Sequence, residues 1–161
     1  DGAGEVAGHE ANGGFLIGFT ATGDGRTLAP LMTRDCILPI LAPLSLACAE
    51  GLSIADMNAT LPPRFTAADR LVGVETDKSR ALIEALFADA TTQTSLFAPY
   101  GPVKHVDYTD GFRATFADTL IIHLRPSGNA PECRVYVEAD VQTRADTVLA
   151  DMLSRVQTAL N

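Results

Sequence analysis

The sequence predicts an α+β fold: a C-terminal four-stranded antiparallel sheet with two helices on one face, preceded by the end of an α/β domain. Between residues 103 and 139, short segments alternate apolar and polar residues, which is typical of strands that bury one face. Thr109-Asp110-Gly111 is a hairpin signal between the first two segments. An apolar stripe with the helical period over residues 144–160 supplies a helix that can cover the sheet.

The first part of the chain predicts a hairpin over residues 15–29. Phe15 to Phe19 is an apolar run of strand length, and Thr22-Gly23-Asp24-Gly25 has the composition of a turn. The residues before this hairpin, 1–14, contain five glycines and are expected to form an irregular loop.

Two helices are predicted next. Residues 36–50 carry apolar side chains at helical spacing, and Asp35 is placed to cap their start. Pro43 is expected to kink this helix, and Gly51 to end it. Ser53 and Asp56 have the spacing of a capping box, which predicts a short second helix.

A unit boundary is predicted at Thr60-Leu61-Pro62-Pro63-Arg64, because two successive prolines favour an extended linker. The predicted division is therefore residues 1–59, a linker over 60–66, and a C-terminal domain over 67–161. A lone hairpin with one kinked helix has little core of its own, so residues 1–59 are expected to complete a domain whose beginning lies upstream.

The C-terminal domain is predicted as a helix, an antiparallel meander and a second helix. The first helix spans residues 77–90, and the last spans about 144–160, with Thr143 and Asp146 as a cap. The four strands between them are expected at 103–108, 112–116, 120–124 and 135–139.

Composition excludes several classes of protein. The 161 residues carry a formal net charge of -8, which repels nucleic-acid phosphates. No apolar run reaches the roughly 20 residues needed to cross a bilayer, and the first residues lack the pattern of a signal peptide. Three scattered cysteines are too few for a disulfide framework or a zinc site. Together these features predict a cytoplasmic protein that binds neither nucleic acid nor membrane. Because the chain begins at Asp1 rather than at a methionine, it is also expected to be a piece of a longer protein.

The segment Arg125 to Glu132, between two predicted strands, has the chemistry of an anion-binding loop. The guanidinium of Arg125 matches two phosphate oxygens, and Ser127 adds a hydroxyl donor. Gly128 and Asn129 tolerate positive φ, which lets successive N–H groups form an anion-binding nest, and Arg134 adds a second positive charge. The composition fits equally a polar hairpin loop whose arginine pairs with a surface carboxylate.

The letters of this loop, RPSGNAPE, resemble the phosphate-binding loop of the alpha-D-phosphohexomutases, usually written RPSGTEP. The resemblance implies a C-terminal domain like the TATA-box-binding protein, in which Arg125, Ser127, Gly128 and Asn129 bind substrate phosphate. This chain has Asn129-Ala130 where the family has Thr-Glu, so the arginine and the serine are retained and the third position differs.

Two further segments resemble the same family in the same order. Gly8-His9-Glu10-Ala11-Asn12-Gly13-Gly14 is similar to its sugar-recognition loop, which implies that Glu10 and Asn12 hydrogen-bond sugar hydroxyls in the third domain. Leu61 to Thr66 is similar to the connector between the third and fourth domains. The sequence GHEANGG favours the phosphomannomutase branch of the family over the branches that act on glucose or glucosamine phosphate.

The resemblance implies an enzyme that interconverts hexose 1-phosphate and hexose 6-phosphate through a phosphoserine, with Mg²⁺. The family's TASHNP-like serine loop and DGDGDR-like metal loop do not occur in these 161 residues. Asp24 is the one carboxylate in the segment Thr22 to Arg26, which is therefore interpreted as a turn. No catalytic or metal-binding residue is assigned to this chain, which is expected to be inactive without the missing N-terminal domains.

Two alternatives stay open at this point. The chain can be a non-catalytic phosphate- or phosphosugar-binding module that folds independently from about residue 65. It can also be an interaction domain that uses the polar faces of its strands. Of the histidines, His9 is a candidate substrate contact, and His105 and His123 are expected to be structural, since none has the serine or cysteine partner that nucleophilic catalysis requires.

Overall fold

A computed structural model describes residues 4–9 and 13–161. The chain divides after Pro62 into two compact units. The second unit, residues 63–161, is described throughout, and its mixed α+β architecture confirms the predicted class in outline.

The described residues of the first unit form short strands followed by two helices. The strands are β1 (Ala7–His9), β2 (Phe15–Ile17), β3 (Ala21–Gly23), β4 (Arg26–Leu28) and β5 (Leu31–Asp35). Three of them form an antiparallel sheet in the order β1-β2-β5, and β3 and β4 form a separate hairpin. The predicted hairpin over residues 15–29 is therefore wrong in its pairing, because Phe15 pairs with His9 and Asp35 and only 21–28 fold back on themselves.

The two helices of the first unit are α1 (Leu38–Glu50) and α2 (Ile54–Ala59). Asp35 accepts a hydrogen bond from the N–H of Leu38 at 2.6 Å, and α1 ends at Gly51 with φ 64°, both as predicted. The capping box of α2 is confirmed, since Ser53 and Asp56 each accept a hydrogen bond from the other's backbone N–H. Large apolar side chains of α1 nevertheless stay about half exposed: Ile40, Leu41, Leu44 and Leu46.

The elements of the second unit are β6 (Phe65–Val72), α3 (Thr76–Ala88), α4 (Ala90–Leu96), a 3₁₀ turn (Ala98–Tyr100), β7 (Val103–Asp107), β8 (Phe112–Phe116), β9 (Ile121–Pro126), β10 (Glu132–Ala139) and α5 (Gln142–Leu160). The strands form a five-stranded antiparallel sheet in the order β6-β10-β9-β8-β7, and the packing helices contact the face that carries its buried side chains. The strands β9 and β10 are inner strands, and the loop that contains the candidate site joins them at one end of the sheet.

The prediction of four strands is wrong, because β6 adds a fifth. Its sequence, FTAADRLV, does not alternate cleanly, since β6 is an edge strand whose side chains are mostly exposed. Pairing with β10 along eight residues holds it in place. The short helix α4 was also missed; it is capped by Asp89, which accepts the N–H groups of Thr91 and Thr92. In α5 the predicted cap at Thr143 is absent, since the helix already begins at Gln142 after Val141.

The core lies between the sheet and the helices α3 and α5. Along β8, β9 and β10 every second residue is buried, which confirms the predicted alternation. Leu86 of α3 and Met152 of α5 are fully buried against this layer. Burial of each such side chain stabilises the fold by about 1.5–3 kcal/mol. The alternate residues of the same strands form a polar face, to which Arg125, Arg134 and His123 belong.

Candidate anion-binding site

The loop between β9 and β10 is held firmly at its ends. The N–H of Ser127 donates to the carbonyl of Glu132 at 3.0 Å, and the N–H of Glu132 donates to the carbonyl of Ala130 at 2.8 Å. The carbonyl of Pro131 accepts from the N–H groups of Gly73 and Val74 at 2.9 and 3.1 Å. The loop therefore has little backbone freedom to lose when a ligand binds.

Arg125 lies near the end of β9 on the polar face of the sheet. Its Nε lies 2.8 Å from Oδ2 of Asp110, a residue of the β7–β8 turn, and its side chain is 41% exposed. The interpretation of Arg125 as the partner of a surface carboxylate thus applies in this structure. The ion pair is made through Nε rather than through a terminal nitrogen of the guanidinium.

Ser127 is the most enclosed polar residue of the loop, with 5% of its surface exposed. Its Oγ accepts a long hydrogen bond, 3.4 Å, from the N–H of Asn129. The hydroxyl hydrogen is therefore available to donate to an anion.

The expected backbone nest is not formed. Neither Gly128 nor Asn129 has a positive φ, and the N–H groups of Ser127 and Asn129 are directed to Glu132 and to the Ser127 hydroxyl. Side chains, rather than converging N–H groups, are thus the donors that this loop can offer. The space around Gly128 is open, since a Cβ added there would meet no atom within 4 Å.

Three arginines from neighbouring strands lie side by side on the polar face. Arg134 is directly opposite Arg125 on one side and Arg70 on the other. Glu132, whose side chain is 14% exposed, lies 3.2 Å from Arg70 and 3.5 Å from Arg134. Like charges directly opposite one another destabilise a sheet, so this row costs folding free energy that Glu132 and Asp110 offset in part.

The row presents three guanidinium groups against two carboxylates, a local positive excess in a chain with a net charge of -8. The neighbouring side chains of Tyr136 and then Glu132 raise the pKa of Arg134. A depression of about 260 Å³ lies beside Arg70, Arg134 and Tyr136. A larger cavity of about 610 Å³ lies between α4 and α5, lined mainly by threonine, serine and aspartate side chains. Its one arginine, Arg155, is paired with Asp151 at 2.7 Å, and no residue of the loop lines it, so the three arginines remain the candidate anion site.

His123 lies on the same face of β9 as Arg125, two residues before it, and is directly opposite Tyr136 of β10. Its ring packs on that of Tyr136, with centroids 5.5 Å apart. Its Nε2 lies 2.6 Å from the carbonyl oxygen of Asp110, and because a carbonyl can only accept, Nε2 carries the proton. His105 lies in β7 and His9 at the end of β1.

The predicted site residues thus fall into two groups. Arg125, Ser127, Gly128 and Asn129 lie together in one loop with an exposed guanidinium and an open approach. Glu10 and Asn12 lie outside the described residues, and the strands that flank them pair through His9 and Phe15.

The sequence did not reveal Arg70 as a neighbour of Arg134. It also did not reveal Asp110 and Glu132 as the carboxylates that pair with the three arginines. Asp110 carried only a turn signal. Arg70 becomes a neighbour of Arg134 only when β6 is known to pair with β10. A search for carboxylates in turns beside a candidate arginine strand would have suggested Asp110.

One family model matches most of the second unit. Residues 71–155 match the family model for the phosphoglucomutase/phosphomannomutase C-terminal domain, the part of the second unit that holds the loop. The chain belongs to this family.

Two curated relatives are similar to this chain over nearly its whole length. A protein from Sinorhizobium fredii named phosphomannomutase is 38% identical over 155 residues, which cover 96% of this chain and 33% of that protein. A phosphomannomutase from Salmonella muenchen is 40% identical over 159 residues, covering 96% of this chain and 32% of its own length. The chain thus spans about a third of the length of the curated relatives that it matches.

Among the helices of the described residues, none has the length and hydropathy needed to cross a membrane. Within residues 4–9 and 13–161, no three histidine, cysteine or acidic side chains converge to hold a metal ion.

Proposed function

We propose that the whole protein interconverts hexose 1-phosphate and hexose 6-phosphate, with mannose phosphate as its substrate, and that this chain holds the phosphate that is not reacting. The observation that carries the proposal is the loop from Arg125 to Asn129, which joins an exposed guanidinium and a nearly enclosed serine hydroxyl to Gly128, whose surroundings are open. The names of the two relatives support mannose as the hexose.

In this proposal Arg125 and Ser127 bind the phosphate oxygens, and Gly128 and Asn129 form the open floor beneath them. The neighbouring Arg134 and Arg70 add positive charge without needing direct contact. Binding energy from the remote phosphate orients the reacting end of the sugar, which lowers the barrier of the transfer step. Glu10 and Asn12 are proposed to hydrogen-bond the sugar hydroxyls.

The domain assignment is part of the same proposal. Residues 1–59 form the C-terminal part of the sugar-binding domain, 60–66 the linker, and 67–161 the phosphate-binding domain. The upstream domains of the whole protein are the proposed partners, supplying the phosphoserine.

We propose Mg²⁺ for the whole protein, where it would help to neutralise charge on the transferring phosphoryl group. The described residues of this chain do not fit such a site, so no step is assigned to a metal here. The free thiols of Cys36, Cys48 and Cys133 suit a reducing compartment, and a cytoplasmic location completes the proposal.

The direct test is an amide NMR titration of the 161-residue chain with mannose 1-phosphate and, separately, inorganic phosphate. We expect millimolar binding, about -4 kcal/mol, with shifts centred on residues 125–129. Arg125→Ala should abolish these shifts. Arg113→Ala is the matched control, because it removes the same charge from the same face at a residue that pairs with Glu138.

The outcomes separate the proposal from its rivals. Equal loss in both variants would show general charge attraction, and an absence of shifts in the wild type at high ligand concentration would favour an interaction domain.

The chain alone is expected to be inactive. Phosphorus NMR of mannose 1-phosphate incubated with it should show no mannose 6-phosphate, because the serine loop of the family is not among its residues. Turnover by the chain alone would contradict the division of labour proposed here.

A further inference from the structure

We propose that Asp110 is a positioning residue for Arg125: it holds the guanidinium through Nε, so that the two terminal nitrogens stay available to an anion. This inference rests on the proposed function, since it concerns how the same loop grips its phosphate. It assigns a role to the turn between β7 and β8, far from the loop in sequence.

The two side chains form an ion pair, with 2.8 Å between Nε and Oδ2. A phosphate binds an arginine best through two parallel hydrogen bonds. Engagement at Nε leaves the two terminal nitrogens for that purpose. A carboxylate bound across the terminal nitrogens would instead compete with the ligand.

Asp110 can position Arg125 because its own backbone is held. The carbonyl of Asp110 accepts from Nε2 of His123 at 2.6 Å, and His123 packs on Tyr136. Gly111 brings the turn so close to β9 that a Cβ there would lie less than 3.0 Å from the carbonyl oxygen of Leu124. The turn is thus docked on the strand that carries Arg125.

Without this contact, Arg125 would be poorly placed. Its side chain is 41% exposed, and an exposed arginine samples many rotamers. Arg134, directly opposite on β10, repels it away from the loop. A carboxylate at Nε restricts the rotamers and opposes the repulsion.

The same carboxylate also repels a bound phosphate, and exposure decides which effect is larger. The Asp110 side chain is 60% exposed, so solvent screens its repulsion of a phosphate beyond the guanidinium. The ion pair with Nε acts at contact distance and is screened less. Positioning is therefore expected to exceed repulsion.

The test compares Asp110→Ala, Asp110→Asn and the wild-type chain in the phosphate and mannose 1-phosphate titrations. Both substitutions remove the charge that pairs with Arg125, so the affinity of each variant should fall by about threefold to fivefold, the range of an exposed ion pair. Asp107→Ala is the matched control, because it removes a carboxylate from the same hairpin at a residue bonded to Thr109.

A second measurement needs no ligand. The order parameter of the Arg125 Nε–H bond, measured by ¹⁵N relaxation, should be high in the wild type and in Asp107→Ala, and lower in both Asp110 variants, because the ion pair restricts the side chain. A merely structural role of Asp110 would leave this order parameter unchanged.

Each result decides the matter. If the wild type binds phosphate, and Asp110→Ala and Asp107→Ala bind it with the same affinity as each other, the positioning role is overturned and the proposed function stays intact. Tighter binding by Asp110→Ala would show that Asp110 competes with the ligand. Absence of wild-type binding would overturn the phosphate grip itself, and with it any positioning for that grip.

Discussion

Replacement of Gly111 by alanine should destabilise the second unit strongly. Gly111 has φ 101°, and an added Cβ would lie less than 3.0 Å from the carbonyl oxygen of Leu124 and 3.2 Å from Cα of Arg125. A side chain at positive φ costs about 1–2 kcal/mol, and overlap with a backbone that cannot rotate away adds about 1–3 kcal/mol. The free energy of unfolding should therefore fall by about 2–5 kcal/mol.

Gly101→Ala is the matched comparison. Gly101 also has positive φ, 81°, but a Cβ there would meet nothing within 4 Å. With ψ -167°, Gly101 lies in a region that is essentially restricted to glycine, so its cost should be the conformational part alone, about 1–3 kcal/mol.

Urea unfolding with linear extrapolation measures both losses, followed by the amide signals of β9 and β10 so that the second unit is observed. Equal destabilisation by the two substitutions would refute the reasoning, because it would mean that the turn is not packed closely on β9. A folded Gly111→Ala variant should also bind phosphate less tightly, since the displaced turn would withdraw Asp110 from Arg125.

Three further substitutions test other parts of the second unit. Gly128→Ala should change the free energy of unfolding by less than about 0.5 kcal/mol, because the surroundings of Gly128 are open. The same substitution should weaken phosphate binding in the titration, and unchanged affinity would contradict the proposed approach of the phosphate past Gly128. Hydrogen bonds from the Thr92 hydroxyl, and then from the Thr91 and Thr92 N–H groups, lower the pKa of Asp89 from 3.8 to about 2. The stability that Asp89 contributes should therefore be complete above about pH 4 and vanish as pH falls through about 2, so the thermal midpoints of wild type and Asp89→Ala should converge in acid; a constant difference would argue against the cap. Burial, and then its hydrogen bond to Asp151, raise the pKa of Tyr100, and Tyr100→Phe should cost about 1 kcal/mol in urea unfolding, whereas no loss would show that the bond contributes nothing.

Local sequence determined the features whose forces act within a few residues. The capping box of Ser53 and Asp56 and the αL end of α1 at Gly51 were predicted from spacing and residue type. The alternation along β8 to β10 was predicted because successive side chains of a strand face opposite sides. The phosphate loop was recognised as one continuous segment, so its residues needed no long-range pairing to be brought together.

Tertiary structure alone decided the features that join distant segments. The edge strand β6 carries a weak pattern of its own and exists as a strand because β10 pairs with it along its length. That pairing creates the row of Arg70, Arg134 and Arg125. The contact of Asp110 with Arg125 depends on how closely the turn at Gly111 approaches β9.

The loop from Arg125 to Glu132 depends on both local sequence and tertiary structure. Its residue types indicated an anion site, and glycine and asparagine were expected to provide a backbone nest through positive φ. In the structure the hydrogen bonds of Ser127 and Glu132, and the anchoring of Pro131 by Gly73 and Val74, set a different backbone. Residue type determines which conformations are permitted, whereas long-range hydrogen bonding and packing select among them.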